Sequence, residues 1–192
     1  IKTGLMQDLL TRGIDEHGNI RSKQTHKFKD SPLGRIPLEW KIDRFESIVE
    51  NSAFGPRFPA TAYSDKGNMA MLRTTDLDDY GNISYTRMPF ATLDANMFKQ
   101  HFLEPDDLLI SRSGTIGIPA VFEGFHVPVI PGAFLIRFRL NQEESNSAYW
   151  RAYFNWDVGR HRLVSLGEGG VQKNLRGISI NQMIIDFPNR TE

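Results

Sequence analysis

Apolar residues at Ile1, Leu5, Met6, Leu9 and Leu10 recur at the i, i+4, i+5 spacing of one helix face, and Gly13 stands where that helix would stop. A helix of about 12 residues is marginal alone in water, so the stripe requires a partner surface. The segment reads as the tail of a longer helix. From Ile14 to Gly34 the chain turns polar, with Gly, Asn, Ser and Pro punctuation and no sustained period, which predicts a linker. The composition changes again at Ile36-Pro37-Leu38-Glu39-Trp40, where a packed domain is expected to begin.

Within that domain the pattern predicts mixed α and β structure. MAMLRTT (69–75) and NISYTRM (82–88) read as strands around a turn at Asp78-Asp79-Tyr80-Gly81. Thr92 to His101 reads as a short helix with Thr92 as N-cap. Leu108 to Ser111, Ile118 to Glu123 and Ala133 to Leu140 are further strands, and FLIRFRL (134–140) alternates as a half-buried strand should. The clearest helix is Ser145 to Ser165, with Tyr149, Ala152, Tyr153 and Trp156 on one face, where a core role is a better fit than a stacking platform. A glycine-rich loop, LGEGGVQKNLRG, follows, and then a short apolar stretch near Met183–Phe187. The expected class is α+β, with a mixed or antiparallel sheet and flanking helices.

Composition narrows the function. There is no cysteine, which excludes disulfides and thiolate metal sites and suits an intracellular protein. No apolar run approaches the ~20 residues that span a bilayer, and no signal peptide is visible. The chain opens at Ile1 rather than Met and is expected to be a piece of a longer protein. Lysine and arginine number 23, aspartate and glutamate 23, so the net charge argues against a nucleic-acid binder. Locally the balance differs: residues 151–176 hold five cations (Arg151, Arg160, Arg162, Lys173, Arg176) against two anions (Asp157, Glu168).

No catalytic constellation is legible. Asp106 opens a nuclease-like pattern, but Glu123-Gly124-Phe125 lacks the lysine that would complete it. The Asn/Asp-Pro-Pro-aromatic run of amino-methyltransferases is absent. Gly114-Thr115-Ile116-Gly117 is too short for a cofactor fingerprint and has no Walker A lysine. The histidines (17, 26, 101, 126, 161) show no ligand spacing, and Ser111 and Ser113 do not form a hydrolase elbow. A non-catalytic binding module without cofactor or metal is favoured by elimination.

Four segments together resemble the specificity subunit of type I restriction–modification enzymes. KTGLMQDLLTRG (2–13) is similar to the close of that family's spacer helix, and SPLGRIPLEWKI (31–42) to the opening of a target-recognition domain. LEPDDLLISRSGTIG (103–117) is similar to the core segment of such a domain, and GGVQKNL (169–175) to the turn before its last elements. Asp186-Phe187-Pro188 begins the family's proline-containing exit, but the continuation is missing, so a truncation before the next spacer helix is expected. The resemblance implies residues 1–13 as the end of a spacer helix, 14–34 as a linker and 35–192 as the DNA target-recognition domain, from the C-terminal half of its parent.

The resemblance further implies a prokaryotic, cytoplasmic, non-catalytic protein that reads one half of a split site in the major groove of double-stranded DNA. Its partners would be methyltransferase subunits and, through them, a restriction subunit. Two other readings stay open: the recognition part of a fused restriction–methylation enzyme, and a protein-interaction module that does not read DNA. Arginine pairs naturally with guanine, and Asn or Gln with adenine, while cations and hydroxyls hold phosphate. On that chemistry Arg73, Thr74 and Thr75 are candidate DNA contacts, or else a strand end with an Asp-capped turn. Arg112 and Ser113 serve DNA or the fold, and Gln172, Lys173 and Asn174 form either a reading loop or a solvated turn. Arg160 and Arg162 grip phosphate or favour a helix C-terminus. Phe54, Arg57 and Phe58 lie on a loop that is a further candidate. Leu5, Met6, Leu9 and Leu10 are docking residues, for the paired spacer helix or a methyltransferase.

Overall fold

A computed structural model describes residues 2–170, 173–190 and 192, with Lys2 and Thr3 given by backbone alone. The chain opens with α1 (Lys2–Arg12), β1 (Phe28–Ser31), β2 (Gly34–Pro37), β3 (Lys41–Arg44) and β4 (Val49–Phe54). Next come β5 (Met69–Leu72), β6 (Phe90–Ala91), α2 (Ala95–Phe98), β7 (Leu108–Ser111), β8 (Pro119–Val121), β9 (Val129–Pro131) and β10 (Leu135–Leu140). It closes with α3 (Ser147–Asn155), α4 (Asp157–Ser165), α5 (Gly177–Asn181) and β11 (Ile184–Phe187). The α+β class with mixed and antiparallel sheets is as expected.

The centre is an antiparallel sheet in the order β4-β10-β7-β8. Alternate residues of its strands feed two cores. Leu108, Ile110, Ile136 and Phe138 face a layer built from Phe45, Trp150, Phe154, Leu163 and Ile185. Leu109 and Leu135 face the opposite layer, with Leu72, Ile118, Phe122 and Val129. That second layer is carried by a smaller sheet, β6-β5-β9, in which β5 and β9 run parallel.

Burial on both faces corrects one expectation. FLIRFRL does not form a half-buried strand, because the face that carries its arginines is covered as well. Arg137 is 2% exposed, and its guanidinium donates to the carbonyls of Gln100 and Phe102 and to the Asn51 side chain. Arg139 forms a two-pronged pair with the buried Asp107 at 2.9 and 3.0 Å. Alternation of side-chain type therefore marks two differently lined interiors rather than inside and outside.

Other elements differ from the pattern for local reasons. Residues 82–88 do not form a strand beyond one bridge, Leu77 to Ile83, and Tyr85–Arg87 coil into a single turn. β5 pairs instead with β6 and β9. The helix over 95–98 is capped by Asp94, not Thr92, which stands two residues too early. The long helix over 145–165 is broken at Trp156, which ends α3 and precedes α4. Gly159 lets α4 fold back onto α3, since a Cβ there would lie 2.0 Å from the Tyr153 carbonyl oxygen.

At the N-terminus, α1 stops where expected. Gly13 has φ +60° and donates its N–H to Leu9 O at 3.1 Å. Leu10 is buried in this domain's own core, Met6 packs against it, Leu9 is partly covered, and Leu5 is exposed. In the stretch read as linker, Ile14 bridges Ile20, and β1 pairs with β2 in a hairpin.

Candidate nucleic-acid interface

The C-terminal ends of β4, β5, β7 and β9 and the start of β10 come together at one edge of the fold. Ile136 sits opposite Phe54, and Leu135 opposite Ser111. Backbone bonds stitch the emerging loops: Gly132 N to Leu72 O at 2.7 Å, Arg112 N to Phe134 O at 2.8 Å, and Leu175 N to Arg112 O at 2.9 Å. The loop after β4 lies hard against the turn before β10, for a Cβ on Gly55 would sit 2.2 Å from the carbonyl oxygens of Pro131 and Gly132. Five segments distant in sequence, near residues 54–58, 73–75, 112, 132–134 and 173–177, thus share one edge.

Each candidate takes its place within this frame. The guanidinium carbon of Arg112 lies 4.4 Å from the centre of the Phe54 ring, a cation–π contact. Its Nε is buried with no hydrogen-bond partner among the described residues. An unmet donor of this kind costs free energy until something accepts from it. Ser113, by contrast, is buried, and Ser111 pins the turn by donating to Thr115 O at 2.6 Å and accepting from Ile118 N at 2.8 Å. The SRSGT segment therefore serves the fold through its serines and presents Arg112.

Arg73 is on the same edge, but its fork is turned inward. Nε and Nη2 donate to the Asp76 carboxylate at 3.1 and 2.7 Å, and Nη2 also donates to Arg87 O at 2.8 Å. These bonds to the buried Asp76 raise the Arg73 pKa. Only Nη1 remains without a partner among the described residues, so Arg73 offers one nitrogen rather than a two-pronged guanine contact. Replacing Arg73 with alanine strands a buried carboxylate. Breaking a fully buried pair costs about 3–5 kcal/mol; with Arg73 40% exposed, about 2 kcal/mol is expected. Urea denaturation of Arg73→Ala against Arg73→Ala/Asp76→Asn should show part of that loss recovered. Equal loss in the two variants would contradict the lock.

Thr74 and Thr75 follow Arg73 on a single helical turn over 74–76, with Thr75 exposed. Lys173 is exposed and makes no ion pair among the described residues, while Asn174 is held by paired backbone bonds to Glu168 at 2.8 and 2.9 Å. Gln172 lies outside the described residues. The two α4 arginines are not brought to this group. Arg162 donates to the Tyr153 hydroxyl and to Ile184 O, tying α4 to α3 and β11. Arg160 reaches toward Asp79 O and the Asn155 side chain, both at 3.5 Å.

Residues not singled out in the sequence complete the edge. Between the 56–63 loop, Met71–Thr75 and the turn before β10 lies a groove of 480 Å³. Its lining includes Tyr63, Met71 and Phe134, and Phe134 is 54% exposed. A signal existed in Pro131-Gly132-Ala133-Phe134, a turn carrying a large apolar residue at its tip. Among the described residues no group of three or more His, Asp or Glu is placed to hold a metal ion, and no helix is long and apolar enough to cross a membrane.

Comparison with known proteins fits this architecture. A solved structure of an assembled type I restriction–modification system matches 98% of this chain and 40% of its own, with a TM-score of 0.65 at 16% identity. The HsdS subunit of Thermoanaerobacter tengcongensis matches 85% of this chain and 37% of its own, with a TM-score of 0.61 at 17% identity. The chain has the fold of a part of a type I specificity subunit. In sequence, the type I restriction enzyme MjaVIII specificity subunit of Methanocaldococcus jannaschii is 25% identical over 116 residues. That match covers 60% of this chain and 25% of the relative, so the chain spans about a quarter of the curated relative it matches. No family model matches the chain. The resemblance to specificity subunits carried by the four sequence segments is borne out by the relative and the solved structures together.

Proposed function

We propose that the chain reads one half of a bipartite DNA target for a type I restriction–modification complex and performs no catalysis itself. The observation that carries this reading is the convergence of unpaired cations on one edge of a specificity-subunit fold. Arg57, Arg112 and Lys173 make no ion pair among the described residues, whereas Arg73 and Arg176, in the same segments, are tied to Asp76 and Glu168, and Arg12, Arg21 and Arg139 are tied to carboxylates elsewhere. Zero net charge therefore coexists with three unpaired cations on one edge. Arg112 and Lys173 would hold phosphate, which fixes position, while the surrounding loops meet base edges in the major groove. Methylation and cleavage would belong to methyltransferase and restriction subunits, which the parent protein would position.

Salt dependence tests the DNA contact directly. Each phosphate neutralised on duplex DNA contributes about −0.9 to the slope of log K against log salt. Three cations predict a slope of about −3 for the chain on a random duplex, measured by fluorescence anisotropy, and Arg112→Ala should reduce it by about one. Duplex binding that is absent or insensitive to salt would overturn the reading and favour an interaction module that does not read DNA.

A further inference from the structure

The groove beside the cationic edge has a chemistry of its own. Met71 forms its floor, 8% exposed, with Tyr63 Oη 3.6 Å from the Met71 sulfur. Tyr63 packs against Phe58 with ring centres 5.4 Å apart, and Phe134 stands opposite on the turn before β10. Phe134 and Tyr63 remain 54% and 43% exposed, so apolar surface faces solvent in a concave place. Arg73 Nη1 and the Thr74 hydroxyl, in its lining, are polar donors without a partner among the described residues.

Among the described residues the lining holds no carboxylate and no amide side chain. Adenine therefore finds no Asn or Gln to bracket its N6 and N7, and the amino group of cytosine finds no carboxylate. Arg73 cannot bracket guanine because its fork is spent on Asp76, and Arg57, the other arginine of the lining, could do so only by leaving Phe134 and Met71 against a guanine edge that carries no apolar group. One base edge in the major groove combines a hydrogen-bond acceptor with an apolar group, namely thymine, with O4 beside its C5-methyl. Resting on the DNA-reading role proposed above, we infer that this groove seats a thymine edge, the methyl against Phe134 and Met71 and O4 toward Arg73 and Thr74. The cations at the same edge supply the charge complement that a DNA backbone requires.

The test is selection of binding sites by the 192-residue chain from a random duplex library, followed by base replacement in the enriched site. The enriched half-site should contain a thymine whose replacement by uracil, which removes only the methyl, weakens binding about fourfold, the worth of one buried methyl group. Phe134→Ala should bind the thymine and uracil sites equally while keeping the parent's salt slope. Because Phe134 is half exposed, this truncation should leave the thermal transition unchanged. Replacing the same thymine with 5-methylcytosine, which keeps the methyl but exchanges O4 for an amino donor, should also lose binding; retained binding would overturn the O4 contact to Arg73 and Thr74. Enrichment of a site indifferent to every thymine-to-uracil change would overturn the groove inference and leave DNA reading intact. No enrichment of any sequence would overturn DNA reading, and the groove assignment with it.

Discussion

Replacing Glu192 with alanine is expected to destabilise the domain by about 3–5 kcal/mol, the cost of leaving one partner of a buried ion pair alone. The Glu192 side chain is 10% exposed, as is that of its partner Arg21, with which it forms an ion pair. Its carboxylate also accepts from Trp40 Nε1 at 3.2 and 3.3 Å and from Ile14 N at 3.0 Å. One side chain thereby joins the end of α1, the stretch after it and the beginning of the packed domain. Guanidinium denaturation measures the loss. Arg21→Met/Glu192→Gln should recover much of it, because no buried charge is then left unpaired. A fall below about 1 kcal/mol for Glu192→Ala, within the range of a solvated pair, would contradict this account. Gly13→Ala should be damaging in the same place: Gly13 holds φ +60°, and a Cβ there would sit 1.8 Å from Glu192 Oε1.

What could be read in advance follows the range of the interactions. The stop of α1 at Gly13 depends on neighbours in sequence, and so does β7, which spans Leu108–Ser111 as its apolar run suggests. Features set by distant partners were not legible. Residues 82–88 have a strand's composition, yet β5 finds its neighbours in β6 and in β9, nearly sixty residues downstream of β5. Arg137 looked like a solvent-facing position until a second core layer covered it.

The candidate edge shows the same division. Arg112 and Lys173 could be named from residue type and segment, because arginine and lysine suit phosphate wherever they stand. That Arg73 spends its fork on Asp76 was partly visible, since the two are three residues apart. That Arg162 faces β11 was not, because the break at Trp156 turns α4 to a new direction. The groove of Tyr63, Met71 and Phe134 joins two loops and the end of β5 and is invisible to any local pattern.

The second large effect expected is a change of DNA specificity. Base contacts are worth about 1–3 kcal/mol each, so exchanging the loops that make several of them should redirect the target by orders of magnitude. The loops to exchange are Pro56–Phe58, Thr74–Thr75 and residues 169–174, whose described members belong to neither core, while Leu175, buried in the core, is kept. The domain should keep its stability through the exchange. The decisive measurement is to assemble a full specificity subunit carrying this domain with the methyltransferase subunit proposed as its partner and to sequence the methylated sites in exposed DNA. The account predicts a split motif in which one half changes with the exchanged loops and the other half does not. A failure to assemble and methylate, or a motif that stays the same after the exchange, would contradict it.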